Sequence, residues 1–596
     1  MRLTELNGFR LPACLLLLVV FPSLLVWPGL SGPLVYDDYT NLSPLLTEEP
    51  EYLRTVFEND SGPLGRIVTM GSFVANHWYS NGLDVFQLKF TNLVIHIMNG
   101  LLLFILLLKL LKDKFSPGNT VLFAFSISML WLVNPVNTGT VLYVIQRAAL
   151  LSTCFMLISI ILYVHARHVA DSKRTWPHIS IFFCISSWIV SLFCKENALL
   201  LPLILLIIEV GFFNSIRPGE IFIRHRVGSL ITFILLGIII IGGLKILDQL
   251  GYLDYKNKIF TLQDRLYTQP VVLIAYLKEL IIPQSVDVTL QRDDFQISTT
   301  FWSPATLLST AIIFLIILLA LAGFRKRDLK PVAAGVLIFF TGHLMESTVF
   351  PLEMYFEHRN YFPSFGIYLS LVLLFVYVIN AKVSLRKPVI IFMVIYGALL
   401  MQYAYRTSMV WSSRESILLN SYMKHPESLG VNLELVSWFV DSSDLETSLS
   451  INAEIIGARP TVSLPAKIQR FYIYCELGDH IPEYEYEMLN NDLNLLNPLL
   501  ISSALANLMQ SYTSRDCNFI DFSRIFQPLA GWIDGQIEAG KYSNTNLWTM
   551  EYYVIEWLLL TGNRADAILR LQRQIHGGNS KAVYFYEEIL PERDSR

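Results

Sequence analysis

The stretch LKFTNLVIHIMNGLLLFILLLKLL, residues 88–111, decides the fold. It meets the roughly 20 mostly apolar residues that a helix needs to cross a bilayer. Its polar members Asn92, His96 and Asn99 stand at i, i+4 and i+7 and so share one helix face. It runs out into Lys109, Lys112 and Lys114, and a basic loop beside a span marks the cytoplasmic side. The run is therefore helical, membrane-embedded and orientable.

The rest of the chain reads the same way. Of 596 residues, 53% are hydrophobic and only 16% charged, against roughly 25% charged in soluble domains, which excludes a soluble enzyme. Eleven stretches have the length and polarity of spans: about 11–30, 88–111, 119–135, 139–165, 178–194, 196–213, 227–247, 304–324, 331–350, 362–380 and 388–405. A further apolar stretch, 268–283, is short and holds Lys278 and Glu279. The first span is followed by Trp27, Pro28 and Gly29 instead of a small-residue cleavage site, so it is expected to be an anchor. Six cysteines in 596 residues exclude a disulfide scaffold and show no CxxC metal pattern.

Arg2 and Arg10 precede the first span, and Arg167, Lys173 and Arg174 follow the fourth. Arg217, Arg224 and Arg226, then Arg325, Lys326, Arg327 and Lys330, then Lys382, Arg386 and Lys387 mark three further cytoplasmic loops. Span 227–247 then ends outside and span 304–324 begins outside. The stretch 268–283 cannot cross an odd number of times between them, and is expected to be a re-entrant or interfacial helix. The expected architecture is an α-helical polytopic membrane protein, with residues 1–406 in the membrane body and 31–87 as its first outer loop. Its N-terminus is cytoplasmic. Residues 407–596 form a helical extracytoplasmic domain, and a bacterial inner membrane is the expected setting.

That outer domain holds 14 basic and 24 acidic residues, a net charge of −10, whereas residues 1–406 are +6. An acidic tail argues against nucleic acid or anionic lipid as its partner. Tyr474-Cys-Glu-Leu-Gly-Asp479 and Leu559-Leu-Thr-Gly-Asn-Arg-Ala-Asp-Ala-Ile568 look alike. The second resembles the helix–turn–helix of a tetratricopeptide repeat, and an ordinary helical bundle accounts for it equally well. Cys475 and Cys517 both lie here, where an oxidising compartment allows pairing.

Ionisable residues near spans are costly, and here they gather on one side. Asp37 and Asp38 follow the first span; the same loop holds Arg66 and His77. His96 lies in the second span, Gln146 and Arg147 open another, and Lys195-Glu196 sit in a hairpin. Glu353, Glu357, His358, Arg359 and Asn360 follow 331–350. Singly, each has a bland reading: a solvated loop start, a snorkelling arginine, a turn ion pair. Together they set carboxylates opposite cations. Cations suit a phosphate leaving group, and a carboxylate suits removal of a proton.

The segments Tyr36-Asp-Asp-Tyr39, Phe90-Thr-Asn-Leu-Val-Ile-His-Ile-Met-Asn99, Asn134-Pro-Val-Asn-Thr138 with Gln146-Arg147, Lys195-Glu-Asn-Ala198 and Glu357-His-Arg-Asn-Tyr-Phe-Pro-Ser364 resemble, in order, pieces of the GT-C membrane glycosyltransferases. The resemblance is to the protein O-mannosyltransferase group with C-terminal tetratricopeptide repeats and its bacterial relatives, and covers roughly 30–370. It implies a polyprenyl-phosphate-linked sugar donor and inverting transfer to an acceptor hydroxyl on the extracytoplasmic side. Some bacterial relatives glycosylate type IV pilins, so a pilin-like protein acceptor is implied. It also implies that Asp37 or Asp38 is the catalytic base, and that Arg147, Lys195, His358 and Arg359 meet the donor phosphate and lipid, supported by Arg66, His96, Gln146, Glu196, Glu353 and Glu357. Glu357-His358-Arg359 stands where the family usually has Glu-Arg-Tyr, which leaves open which cation faces phosphate. Asn134-Pro135 stands for the usual His-Pro, which leaves open any role for position 134.

A phosphate leaves without protonation, so no metal is required; an Asp pair nevertheless has the oxygens for Mg²⁺ or Mn²⁺. The stretch 268–283, with Asp254 to Arg265 and Gln291 to Asp294, is a natural lid. A glycan polymerase or ligase shares this chemistry and is the nearest rival. A flippase or transporter would place charges at mid-membrane in repeated halves, which this sequence lacks. A non-enzymatic scaffold does not account for so many polar groups in the membrane half.

Overall fold

The computed structural model describes residues 10–213 and 255–582 apart from a few short stretches, the longest being 459–463, 492–497 and 540–544. The expected span 227–247, and the basic loop before it, lie outside the described residues. Helix dominates and no strand occurs among the described residues. The chain is an α-helical, membrane-embedded protein. It divides into two compact units: Met1–Tyr255, Phe260–Leu290 and Gln296–Ile417 form the first, and Lys256–Ile259, Gln291–Phe295 and Leu418–Arg596 the second.

In the first unit, α1 (Arg10–Val26) passes into a 3-10 turn, Trp27–Ser31. Three short helices follow, α2 (Asp37–Leu42), α3 (Tyr52–Phe57) and α4 (Ile67–Ser80). Then come α5 (Val85–Leu111), α6 (Pro117–Leu132), α7 (Pro135–Leu142), α8 (Arg147–Lys173), α9 (His178–Leu192) and α10 (Leu201–Phe212). Proline opens α6 and α7 at the first turn, where its missing N–H costs nothing. Asn134 caps α7 by accepting from the Val136 amide at 2.8 Å.

Beyond the undescribed stretch lie α11 (Leu262–Ile281), started by a Thr261–Asp264 capping box, then α12 (Pro304–Gly323), α13 (Lys330–Gly342), α14 (Ser364–Ala381) and α15 (Arg386–Val410). Helix α5 packs on α6 and α8, α8 on α9, and α13 on both α10 and α14. Leu308, Phe314, Leu315 and Leu319 of α12 and Ile391, Phe392 and Val394 of α15 are exposed. Helix faces as apolar as these suit lipid contact and not water.

Among the described residues six helices are long and apolar enough to cross a membrane, lying at Leu11–Ser31, Val85–Leu111, Val144–Ala170, Pro304–Gly323, Ser364–Ala381 and Val383–Val410. There are seven if α6 and α7, bent by 56°, form one broken span. The expected span 139–165 thus starts later, because α7 and a 3-10 turn at Val144–Gln146 occupy its beginning. The expected spans 178–194, 196–213 and 331–350 contain helices of 15, 12 and 13 residues. At 1.5 Å per residue these are about 18–23 Å long, short of a hydrocarbon core of roughly 30 Å. The run 331–350 is cut because the chain turns from His343 onward. Helix α11 replaces the short 268–283 stretch; it is not among the helices apolar enough to span.

The division between the units falls within α16 (Arg414–Lys424). The second unit continues with α17 (Leu429–Asp441), α18 (Leu445–Ala458), α19 (Leu464–Leu477), α20 (Glu483–Asn491), α21 (Pro498–Ser514), α22 (Ser523–Glu538), α23 (Thr545–Leu560) and α24 (Arg564–His576). Helices α17, α19 and α21 start 35 and 34 residues apart. Helix α17 packs on α19, α19 on α21 and α21 on α23, while α20 packs on α22. This alternation is that of stacked helical hairpins.

Three hairpins turn identically. Ser443, Gly478 and Gly562, with φ of 62°, 71° and 82°, end α17, α19 and α23 in the left-handed region. The next amide in each reaches back five residues: Asp444 to the Phe439 carbonyl (2.9 Å), Asp479 to Tyr474 (3.3 Å) and Asn563 to Leu558 (2.8 Å). These are Schellman turns, which satisfy the helix-end carbonyls. Two of them are the look-alike segments of the sequence. Cys475 and Cys517 are disulfide-bonded, with Cα atoms 5.6 Å apart. Asp293, from the 291–295 segment of this unit, accepts hydrogen bonds from the Ser428 hydroxyl and from the amides of Leu429 (2.8 Å) and Gly430 (3.3 Å), capping α17.

Candidate functional site

Asp37 and Asp38 open α2 but have opposite environments. Asp38 is fully buried. Its Oδ2 accepts from the Val35 amide at 3.0 Å and its Oδ1 from the Ile145 amide at 2.7 Å. Burial pushes its carboxyl up to about 7, although the two amides and the charge of Lys89 act the other way. Asp37 is exposed. Its amide donates to the Tyr143 hydroxyl at 3.3 Å, and its carboxylate bonds the same hydroxyl. Tyr36, just before the pair, is held at φ +41°, ψ −110°. A non-glycine residue there costs of order 1–3 kcal/mol, and such strain collects at functional sites.

Tyr143 links this pair to a group of cations. Its ring stands edge-on to His358, centroids 6.4 Å apart, and His358 stacks on Phe356 at 5.0 Å. His358 and Arg359 lie in a 3-10 turn, Glu357–Asn360. Burial, then the charges of Lys195, Arg359 and Arg66, hold the His358 imidazole well below the usual histidine range, so it is neutral. Three cations from distant loops therefore converge here.

They differ in how they are engaged. Arg66 makes a two-pronged contact with Glu196, Nε to Oε1 at 3.3 Å and Nη2 to Oε2 at 3.2 Å. Gly62, at φ +87°, makes room for it: a Cβ there would collide with Glu196 Oε1. Lys195 Nζ is 2.7 Å from Glu346 Oε1, both side chains being buried. Arg359 is only 5% exposed, yet its one hydrogen bond among the described residues runs from Nη1 to the Met354 carbonyl at 3.3 Å. A guanidinium has five donors, so Arg359 is the cation with donors to spare.

Other expected site residues do other work. Arg147 is fully buried and spends its N–H groups on neutral acceptors: Asn92 Oδ1 (2.8 Å), Asn76 Oδ1 (2.6 Å), the Leu88 carbonyl (2.9 Å) and the Ser72 carbonyl (3.2 Å). It also lies over the Phe73 ring at 4.2 Å. It is a brace joining α4, α5 and α8. His96 bridges the Tyr361 hydroxyl (2.8 Å) and the Leu132 carbonyl (3.0 Å), and Asn99 bonds the Leu150 carbonyl (2.9 Å). The polar face of α5 is thus helix-packing glue. Gln146 is buried one residue after the Ile145 amide that holds Asp38. Glu357 is buried in the same turn as Arg359, whereas Glu353 is exposed. Asn134 also bonds the Tyr368 hydroxyl.

Arg265 of α11 is fully buried and donates to the carbonyls of Thr348 (2.9 Å), Glu346 (2.5 Å) and Leu352. Asp254 lies outside the described residues. Among the described residues no three His, Cys, Asp or Glu converge on a common point.

Three residues of this site escaped the sequence reading: Glu346, Lys89 and Tyr143. Glu346 and Lys89 each left a signal, a lone charge inside an otherwise apolar run. Tyr143 left none, since a tyrosine near a span end is commonplace. No family model, no curated protein and no solved structure matches this chain.

Proposed function

We propose that the protein is an inverting GT-C-type glycosyltransferase that moves a sugar from a polyprenyl-phosphate-linked donor to an acceptor hydroxyl on a pilin-like protein. The single observation that carries this is the continuous arrangement of Asp37, Tyr143, His358 and Arg359, a carboxylate at one end and an under-used buried cation at the other. The acceptor oxygen attacks the anomeric carbon and its proton passes to Asp37, the exposed member of the pair. The anomeric carbon–oxygen bond breaks and polyprenyl phosphate leaves, its charge met by Arg359 and, beside it, Lys195 and Arg66. Charge-assisted bonds of this kind are the strong ones. Neutral His358 can donate a hydrogen bond without adding charge. Asp38 anchors α2 through Val35 and Ile145 and so aims Asp37.

In this reading the first unit is a polytopic membrane body in a bacterial inner membrane, with a cytoplasmic N-terminus. The second unit is an extracytoplasmic, tetratricopeptide-like domain. The Cys475–Cys517 bond supports an oxidising compartment for it, and the basic loops support the orientation.

Transfer from a polyprenyl-phosphate hexose to an acceptor peptide, measured in nanodiscs, tests the roles. Asp37→Asn should lower the rate at least about 100-fold with donor affinity unchanged. Arg359→Gln should weaken donor binding about 10- to 100-fold, the worth of one or two bonds to a charged group. Wild-type transfer and binding in both variants would overturn the reading.

A further inference from the structure

Lys89 is a full charge in an apolar helix, and the proposed reaction gives it no task. It sits one turn into α5, fully buried. Its Nζ makes a single long hydrogen bond, 3.4 Å to the Gly29 carbonyl, and lies 5.8 Å from the centroid of the Trp411 ring. Gly32 is kept bare beside it: a Cβ there would come within 3.2 Å of Nζ and far closer to the Trp411 carbonyl. One weak hydrogen bond and one ring do not offset the burial of an ammonium group, which calls for a partner charge. The carboxylate that acts on Lys89 is Asp38.

The groups around Asp38 are then few and identifiable. Asp37 is its neighbour on α2, Tyr143 follows α7, Lys89 comes from α5 and Arg147 from α8. Arg147 is committed to its neutral acceptors, and Tyr143 serves Asp37. Lys89 is the cation whose bonding is incomplete. The segment from Gly29 to Asp38 passes between them: Gly29 gives Lys89 its carbonyl, and Val35 gives Asp38 its amide.

We propose that Lys89 is a positioning residue: its buried charge favours the ionised form of Asp38, the form that best holds the Val35 and Ile145 amides and fixes Asp37 on α2. This rests on the glycosyl-transfer reading for its consequence in catalysis, but not for its test. An ionised carboxylate accepts strongly with both oxygens, whereas a protonated one turns one oxygen into a hydroxyl, a weaker acceptor, and so holds one of the two amides less tightly. Loss of the Lys89 charge therefore loosens the carboxylate pair without touching the acceptor or donor.

The test is an infrared pH titration of the carboxyl band that disappears in Asp38→Asn, made on the full-length protein in nanodiscs. Lys89→Gln keeps a donor for the Gly29 carbonyl and removes the charge; Lys89→Met removes both and serves if the first variant does not assemble. The Asp38 midpoint should rise by about one pH unit or more, the usual effect of losing a close opposite charge. Lys89→Arg should return it towards the wild-type value. Transfer activity at a pH well below the midpoint should fall about tenfold for each pH unit by which that midpoint rises, with the acid limb of the pH profile moving by the same amount. An unmoved Asp38 band in Lys89→Gln or Lys89→Met overturns the proposal. A band that moves in the Lys89 variants, when the wild-type protein itself shows no transfer, keeps the Lys89–Asp38 coupling and sinks the transferase reading instead.

Discussion

Asp38 binds its proton more tightly in the fold than an unfolded aspartate does, its carboxyl standing near 7 against an ordinary 3.8. The sign of its contribution follows. Its share of stability is fully present below about pH 4 and is lost as pH rises through 7, because ionising a buried acid is penalised. A difference of this size corresponds to up to about 4 kcal/mol. The melting temperature of the purified protein, measured relative to that of Asp38→Asn, should therefore fall between pH 4 and pH 8. An identical slope in the variant would remove the assignment. The Asp37-Asp38 pair was legible in sequence only together with the cations of the other outer segments, since two acids after a span are by themselves an ordinary loop start. Their unequal roles were not legible, since burial of one and exposure of the other depends on the Ile145 amide, more than a hundred residues away. The same distance hid Glu346 as the partner of Lys195.

Helices report their neighbours through their smallest residues. A Cβ on Gly335 of α13 would collide with Ser370 Oγ and with the Gly366 carbonyl, and a Cβ on Gly366 would collide with the Gly335 carbonyl. The α13–α14 crossing is therefore backbone against backbone, the approach that small residues allow in membranes. Gly335→Ala should separate the two helices and cost about 1–3 kcal/mol, seen as a lowered midpoint in thermal unfolding. Gly457→Ala, at a helical position with open space around it, is the control and should leave the midpoint unchanged or slightly raised. Periodicity located α5, α12, α14 and α15 well, because each is a single long apolar run. It overextended α13, because apolar residues such as Leu344, Val349 and Phe350 continue past the helix into turns. It also identified the shared face of Asn92, His96 and Asn99 correctly, yet spacing alone does not distinguish a ligand face from a packing face.

Over the whole molecule, covalent and non-covalent fastening are unevenly distributed. The Cys475–Cys517 bond closes a loop of 42 residues within the second unit, worth about 4 kcal/mol in the chain-entropy account. Replacing both cysteines by serine should lower amide-exchange protection in α19 and α21 by a corresponding free energy and leave α5 and α8 unaffected. Equal protection in both proteins would show that the bond constrains nothing. The acidic character of the second unit was legible from composition, and so were two of its turns, because glycine followed by a polar residue marks a helix stop. The third was hidden: Ser443 adopts the same conformation without the glycine.

Because α17, α19 and α23 end on one repeated turn and each hairpin leans mainly on the next, the second unit has the character of a stack and not of a closed globule. A stack has no fixed size. It can lengthen or shorten by a whole hairpin while each remaining interface keeps its partner. Its reach can therefore change through evolution in steps of about 34 residues, without altering the carboxylates and cations gathered in the first unit.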